Sequence, residues 1–398
     1  VDRRAIRESA SNAGARRVYL IGLVLFVAAS AACGLSATLP ALTLARVAQG
    51  LGAALMTPQT LAIIRRVFPA ATMPVALGVW GSVGGLAAAA GPLLGGLLVG
   101  LAGWPSIFLV NVPLGAVAFA LALMWVPSSP RSGATIPVAP VALGALGVLA
   151  VIVAVHEAAS APVFLTVPVA VVGAALVVLA IRIQPHDPRR ALVPARLLQS
   201  RGFVRATLGA TGASFVVGSA LIPVMLELQD DRGLSVAQAT LAILPLGVVS
   251  AASAPFAGTS VARWGPRPVA LVGVTALAVS TCATAASVQL GAPVWTTAAA
   301  MGLFGLANSF VWSPLATAAM TAIEPEFAGA ASGAYNATRQ LGAVLGSATV
   351  AAVIATAGTA ASLWVLGATA ALSLVVVTGL PRRASAPSGA VSASPFRR

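Results

Sequence analysis

The chain has 398 residues, of which 59% are hydrophobic and only 8% charged, and its mean hydropathy is +0.97. Such a composition excludes a soluble globular domain and marks a polytopic, all-α membrane protein. The net charge of +14 comes from 23 Arg with no Lys, yet the Arg fall in loops rather than in a nucleic-acid patch, and Cys33 and Cys282 lie inside apolar runs without disulfide or metal spacing.

A polar tail with five Arg occupies 1–17, and the first apolar span runs over about 18–37. Ser30-Ala31-Ala32-Cys33 lacks the Leu of a lipoprotein cleavage site, so that span is expected to stay in the chain. Span two covers about 40–64 and closes on Arg65-Arg66. Span three, about 75–102, contains Gly78–Gly96, GVWGSVGGLAAAAGPLLGG, with seven glycines, one proline and no charge. In water this would be a poor helix, at about 0.8–1 kcal/mol per Gly and about 3 for the Pro. A bilayer enforces helix there, and small residues let neighbouring helices approach. The expectation is a closely packed helix, bent at Gly91–Pro92.

Span four lies at about 107–126, followed by a loop with Arg131, and spans five and six at about 138–155 and 163–183. The linker to residue 205 includes RRALVPARLLQSRGF, an amphipathic piece expected at the membrane surface. Spans seven to twelve follow at about 206–228, 237–262, 269–288, 294–320, 331–357 and 361–380, before a basic tail. Twelve spans put both termini on one side, and 20 of the 23 Arg then fall on that side. Only Arg232 lies opposite, with Arg46 and Arg339 inside the membrane. This asymmetry places the termini in the cytoplasm.

The chain also repeats weakly at an offset of roughly 251–256 residues, pairing Gly78 with Gly333, Trp80 with Tyr335 and Gly91 with Gly346. Parallel repeats are the mark of a two-halved carrier whose site lies between the halves.

Few residues could carry chemistry. Arg46 lies about two turns into span two, where a charge costs at least about 2.5–3.5 kcal/mol, so it should face a cavity or a partner. It reads as a coupling or gating Arg, or as a structural one bonded to helix-end carbonyls; Gln49 shares its face. Arg339 either lines the cavity or snorkels to a helix end, with Asn336 on its face. Glu227, with Asp230 and Asp231 beyond it, could attract a cation or proton, but a solvated loop edge is the expectation. Asn111 and Trp312 fit helix packing as well as substrate contact. His156 and His186 are too far apart in sequence for a metal site, and no phosphate-binding GxxxxGK[ST] is present. Neither a cofactor nor enzymatic activity is expected, since no span carries a catalytic acid, His cluster or nucleophile–base pair.

RVAQGLGAALMTP (Arg46–Pro58) resembles the fourth-helix motif of the major facilitator superfamily, and Gly78–Gly96 its fifth-helix antiporter motif, matching at Gly78, Gly91, Pro92, Gly95 and Gly96. FLVNVPLG, LVPARLL and GAASGAYNATRQLGAVLG are similar to segments of its fourteen-helix drug:proton antiporter branch. The resemblance implies a two-halved helix bundle in the plasma membrane, acting as a monomer. It implies proton-coupled export of drugs or amphipathic small molecules by alternating access, with the bilayer and no nucleic acid as surroundings. Arg46, Gln49 and Arg339 would then serve coupling, and Asn111, Glu227, Trp312, Tyr335 and Asn336 the cavity or substrate. The implied organisation is tail 1–17, four helices over 18–126, two further helices and a linker over 127–205, six helices over 206–380, and tail 381–398. The twelve spans match that branch's helices three to fourteen. The first two helices, one of which usually bears a membrane-embedded Asp, lack a counterpart, and only Gly14, Arg16 and Arg17 survive from the pattern GxxxDRxGxRR. The expectation is an N-terminally shortened carrier, with a non-transporting remnant or sensor as the alternative.

Overall fold

A bilayer core offers the backbone no hydrogen-bond partner, so an apolar run must close its own ladder as helix. The computed structural model, which describes residues 14–69, 72–127, 138–157, 161–184, 191, 193–324 and 327–381, folds every one of these runs that way. Spans one to three are Ala15–Gly34, Leu39–Val67 and Met73–Ala102. Span four joins Ser106–Leu109 to Asn111–Trp125, and spans five and six are Val138–Glu157 and Val163–Arg182. Span seven runs through Arg201–Ser219, Leu221–Leu226 and a π-helical turn, Glu227–Asp231. Spans eight, nine and ten are Val236–Trp264, Pro266–Gln289 and Val294–Thr321.

The last helical run, Ala328–Thr378, has 51 residues. Straight, it would measure about 77 Å at 1.5 Å per residue, more than twice a hydrocarbon core of ~30 Å. Gly358 divides it, taking φ 82°, a conformation open to glycine but strained for other residues. Spans eleven and twelve are its two halves, so the twelve expected spans are all helical and their bounds shift by only a few residues. Among the described residues, nine helices are long and apolar enough to cross a membrane, counting this kinked run as one.

Helices in lipid gain little from hydrophobic burial against one another, so small residues must bring them into contact. Gly22 and Gly52 do this between spans one and two, and Gly147 and Gly173 between spans five and six. A Cβ on Gly305 would collide with the carbonyl of Leu246, and one on Gly273 with that of Phe310. Gly342 and Gly346 lie equally close to Thr211 and Phe215 of span seven. The glycines of span three behave differently. Gly91, Gly95 and Gly96 would meet nothing within 4 Å, and the helix runs through Gly91–Pro92 with its helical backbone unbroken. Span three packs on spans eight and ten, and its described glycines do not form that contact.

The continuous apolar core runs from Leu197 to Leu380, with Ile64, Met73 and Trp80 reaching it from spans two and three. Among its described residues, the stretch expected at the membrane surface holds the short helix Ala195–Gln199, whose Leu197 is fully buried in that core, and the first turn of Arg201–Ser219. Amphipathicity there serves attachment to the bundle, with Leu198 exposed on the other side.

Arg residues assigned to the cytoplasmic side cap helix ends. Arg16 donates to Leu123 O at 2.7 Å, Arg267 to Thr378 O at 2.9 Å, and Arg205 to Gly379 O. Cations at helix C-termini satisfy carbonyls left without an intrahelical partner and complement the dipole. Arg131, Arg189, Arg190, His186 and most of both basic tails lie outside the described residues, as do the side-chain surroundings of Gly78, Pro92 and His156.

The glycine contacts predict stability changes of opposite sign. Gly305→Ala should lower the melting midpoint of the detergent-solubilised chain, since overpacking costs about 1–3 kcal/mol. Gly96→Ala, in open space, should hold or raise it by up to about 1 kcal/mol of helix propensity. Equal midpoints for the two variants would contradict this packing.

Candidate functional site

Span two places Arg46 and Gln49 one turn apart on one face. The Arg46 Nη1 donates to Gln49 Oε1 at 2.6 Å, and Gln49 Nε2 donates to Ser30 Oγ of span one at 2.6 Å. Gln49 and Ser30 are buried, while Arg46 is exposed and lies 5.5 Å from the centroid of the Phe108 ring. Arg46, Gln49 and Asn111 line one cavity of about 420 Å³ with Phe26, Ile107 and Phe108. This is an open, half-apolar cleft with a cation on its wall. Arg46 bonds a side-chain amide, and no helix-end carbonyl accepts from it among the described residues.

A second group forms where spans three, ten and eleven meet. The Arg339 guanidinium lies 5.1 Å from the Trp312 ring centroid and 5.8 Å from that of Trp80. Trp80, Trp312 and Arg339 stand about 10–17 Å from the helix ends Met73, Thr321 and Ala328, at 1.5 Å per residue, so they share one depth. Tyr335 and Asn336, both buried, sit one turn before Arg339 on its face. Asn336 Nδ2 donates to Ser332 O, but its Oδ1 is buried and unmet among the described residues, as is Arg339 Nε. Trp312 Nε1 donates to Asn308 Oδ1 at 3.0 Å, and Asn308 Nδ2 to Ser250 Oγ at 3.2 Å, which ties the cluster to span eight. Arg339 therefore faces the bundle and does not cap a helix end. Two cation–π contacts, each worth up to about 2 kcal/mol when desolvated, match an insertion cost of about 2.5–3.5 kcal/mol. Among the described residues no oxygen accepts from its N–H donors.

Glu227 stands apart from both groups. It was expected at a solvated loop edge, but it is buried at 7% exposure and pairs with Arg232 Nε at 2.9 Å. The π turn Glu227–Asp231 brings this about, and Arg232 Nη1 also donates to Ala292 O at 2.5 Å, clasping the loop between spans nine and ten. Residues near a chain's polar turn look solvated in sequence. The pairing depends on backbone geometry that sequence does not announce.

The predicted residues thus separate into three places: Arg46, Gln49 and Asn111 in the cavity; Trp312, Tyr335, Asn336 and Arg339 at the seam; Glu227 at the opposite end of span seven. Sequence reasoning missed Ser30 and Trp80 as participants. The pairing of Trp80 with Tyr335 in the repeat was the available signal for the second. Among the described residues no group of His, Cys, Asp and Glu could hold a metal.

The sequence pattern of the Major Facilitator Superfamily matches residues 10–346 and 207–397. An uncharacterized MFS-type transporter of Mycobacterium tuberculosis is 37% identical over 341 residues, covering 85% of this chain and 58% of its own length. The multidrug resistance protein Stp of Mycobacterium tuberculosis is 34% identical over 344 residues, covering 85% and 63%. The methylenomycin A resistance protein of Streptomyces coelicolor is 29% identical over 350 residues, covering 86% and 72%. The chain thus spans about three fifths of the length of the first two relatives. Among solved structures, the human organic anion transporter MFSD10 superposes with a TM-score of 0.64 at 17% identity, covering 92% of this chain and 77% of that one. The proton:xylose symporter XylE gives 0.59 at 16%, covering 92% and 80%. At these identities the likeness is one of fold.

The Glu227–Arg232 pair predicts a double-mutant signature. Glu227→Gln should destabilise the chain by about 1–3 kcal/mol, because Arg232 loses its partner while half-buried. Adding Arg232→Gln should recover part of that loss, since no charge is then stranded. Strictly additive losses in thermal melts would remove the pair as a stabilising unit.

Proposed function

The chain belongs to the Major Facilitator Superfamily, and from that membership we propose that it is a secondary active transporter exporting drugs or amphipathic small molecules in exchange for protons. The observation that carries this reading is the open cleft of about 420 Å³ whose wall brings Arg46, Gln49 and Asn111 together among apolar helices. A charge at that depth is costly unless it serves a cavity or partner, so Arg46 reads as a working residue. The names of the multidrug resistance and methylenomycin resistance relatives favour export over the non-transporting alternative.

The proposal extends to organisation. Residues 18–126 and 206–380 form the two halves, 127–205 supplies two further helices and a linker, and both tails face the cytoplasm of a plasma membrane. The motif resemblance assigns the carrier to the drug:proton antiporter branch, acting as a monomer. Alternating access would expose the seam between the halves to each side in turn, without an enzymatic step or a resident cofactor. For the proton the bundle has Glu227 to offer. It is the one buried carboxylate among the described residues, and neutralising it would release Arg232 from the loop at Ala292.

Arg46→Ala in proteoliposomes tests the assignment. With ethidium, naphthamide and naphthoate as probes and an imposed pH gradient, the wild-type chain should move at least one probe faster than without the gradient. Arg46→Ala should abolish that acceleration while the protein remains monodisperse. Unchanged gradient-driven transport in Arg46→Ala would remove this residue from coupling, and a wild-type chain indifferent to the gradient would defeat the antiport reading.

A further inference from the structure

Arg339 is a cation held against two rings, with no oxygen accepting from it among the described residues. We propose that the seam around it binds an anionic aromatic compound, with a carboxylate or sulfonate on Arg339 and the ring of the compound against Trp80 and Trp312. The inference deepens the export reading, on which it rests only for the direction of movement.

A guanidinium presents five N–H donors in a planar fork that matches a carboxylate or sulfonate bidentately. Arg46 gives one of its donors to Gln49 Oε1, whereas Arg339 meets no acceptor among the described residues and keeps Nε buried. The described carboxylates near an Arg are engaged elsewhere, Glu227 with Arg232 and Glu324 with Arg196. Indole faces temper the Arg339 charge but supply no oxygen, so the capacity to bind an anion is retained.

Asn336 adds an independent observation. It is 3% exposed, lies one turn before Arg339 on the same face, and spends its amide N–H on Ser332 O, leaving Oδ1 buried and unmet among the described residues. A hydroxyl or N–H of the ligand placed beside the acidic group would satisfy it. The rings are fixed for the third contact. Trp312 is anchored by Nε1 to Asn308, so its polar edge is engaged, and an aromatic compound would meet the ring on the face that Arg339 does not cover. A cationic compound of the same shape would meet the Arg339 charge at close range.

Three probes sharing one ring separate the possibilities: naphthoate, naphthamide and naphthyltrimethylammonium. Equilibrium dialysis with the full chain in detergent, corrected against empty micelles, needs no gradient. The wild-type chain should bind naphthoate about tenfold more tightly than naphthamide, and the ammonium most weakly. Arg339→Gln should bring naphthoate down to the level of the amide and barely move the amide itself, Arg339→Lys should restore part of the difference, and Trp312→Phe should weaken all three. Ammonium bound as tightly as naphthoate by the wild-type chain, or naphthoate binding unchanged in a folded Arg339→Gln, would overturn the proposal. Should Arg339→Gln fail to fold, the wild-type order decides alone. The export reading fails separately. Naphthoate bound but moved by no gradient in vesicles defeats export and leaves this site standing, whereas gradient-driven movement of the ammonium alone does the reverse.

Discussion

Carbonyl oxygens standing where a Cβ would otherwise be join spans eight and nine to span ten, and span seven to span eleven. Gly305 against Leu246, Gly273 against Phe310, and Gly342 and Gly346 against Thr211 and Phe215 set the backbone separations of three helix pairs. Lipid is as apolar as a helix face, so shape and dispersion at these crossings supply what water would supply in a soluble core. Once backbones are that close, short polar side chains can bond across the gap. Ser309 Oγ reaches Ser250 O at 2.7 Å, and Asn308 reaches Ser250 Oγ, beside the Gly305 contact. The orientation of Trp312, and with it the wall beside Arg339, follows from that chain of contacts.

The charges obey the complementary rule. Every guanidinium described within the bundle has a distinct way of meeting its cost. Arg46 leans on an amide and a ring, Arg232 on a carboxylate and a carbonyl, Arg339 on two rings. The three solutions differ in what they leave open. Arg232 meets two oxygens, Arg46 meets one and is exposed to a cavity, and Arg339 is electrostatically tempered but still able to donate. Function in such a bundle is best sought where the charge is held but its donors are not used up.

Apolar length and Arg asymmetry made the span plan legible, because hydrophobic thickness and backbone satisfaction leave a chain little choice of structure. The same arithmetic located Arg46 and Arg339 as the charges needing an explanation. What sequence could not supply was direction around the helix axis. Gly91, Gly95 and Gly96 have the composition of a packing face, yet composition does not say which way a helix turns, and theirs is not the face that meets spans eight and ten. Glu227 failed for a related reason. One extra residue per turn in the π segment rotates a side chain inward, and nothing in ELQDD marks that change.

The weak repeat acquires a physical use at the seam. It pairs Trp80 with Tyr335, and both flank Arg339, Trp80 by its ring at 5.8 Å and Tyr335 from one helical turn before it. Residues related by a two-fold axis come close to one another only where the axis passes, so in the proposed two-halved carrier two repeat-paired aromatics beside one guanidinium would put that axis near Arg339. In a parallel-repeat carrier the halves rock against one another around the site that lies between them. The other pairing, Gly91 with Gly346, behaves in the opposite way: Gly346 abuts Phe215, and Gly91 faces open space. The two pairs together say that the repeat is kept at the seam and lost away from it. In the proposed two-halved carrier that seam is the joint, and rocking there would cover and uncover the Arg339 guanidinium beside its two indoles.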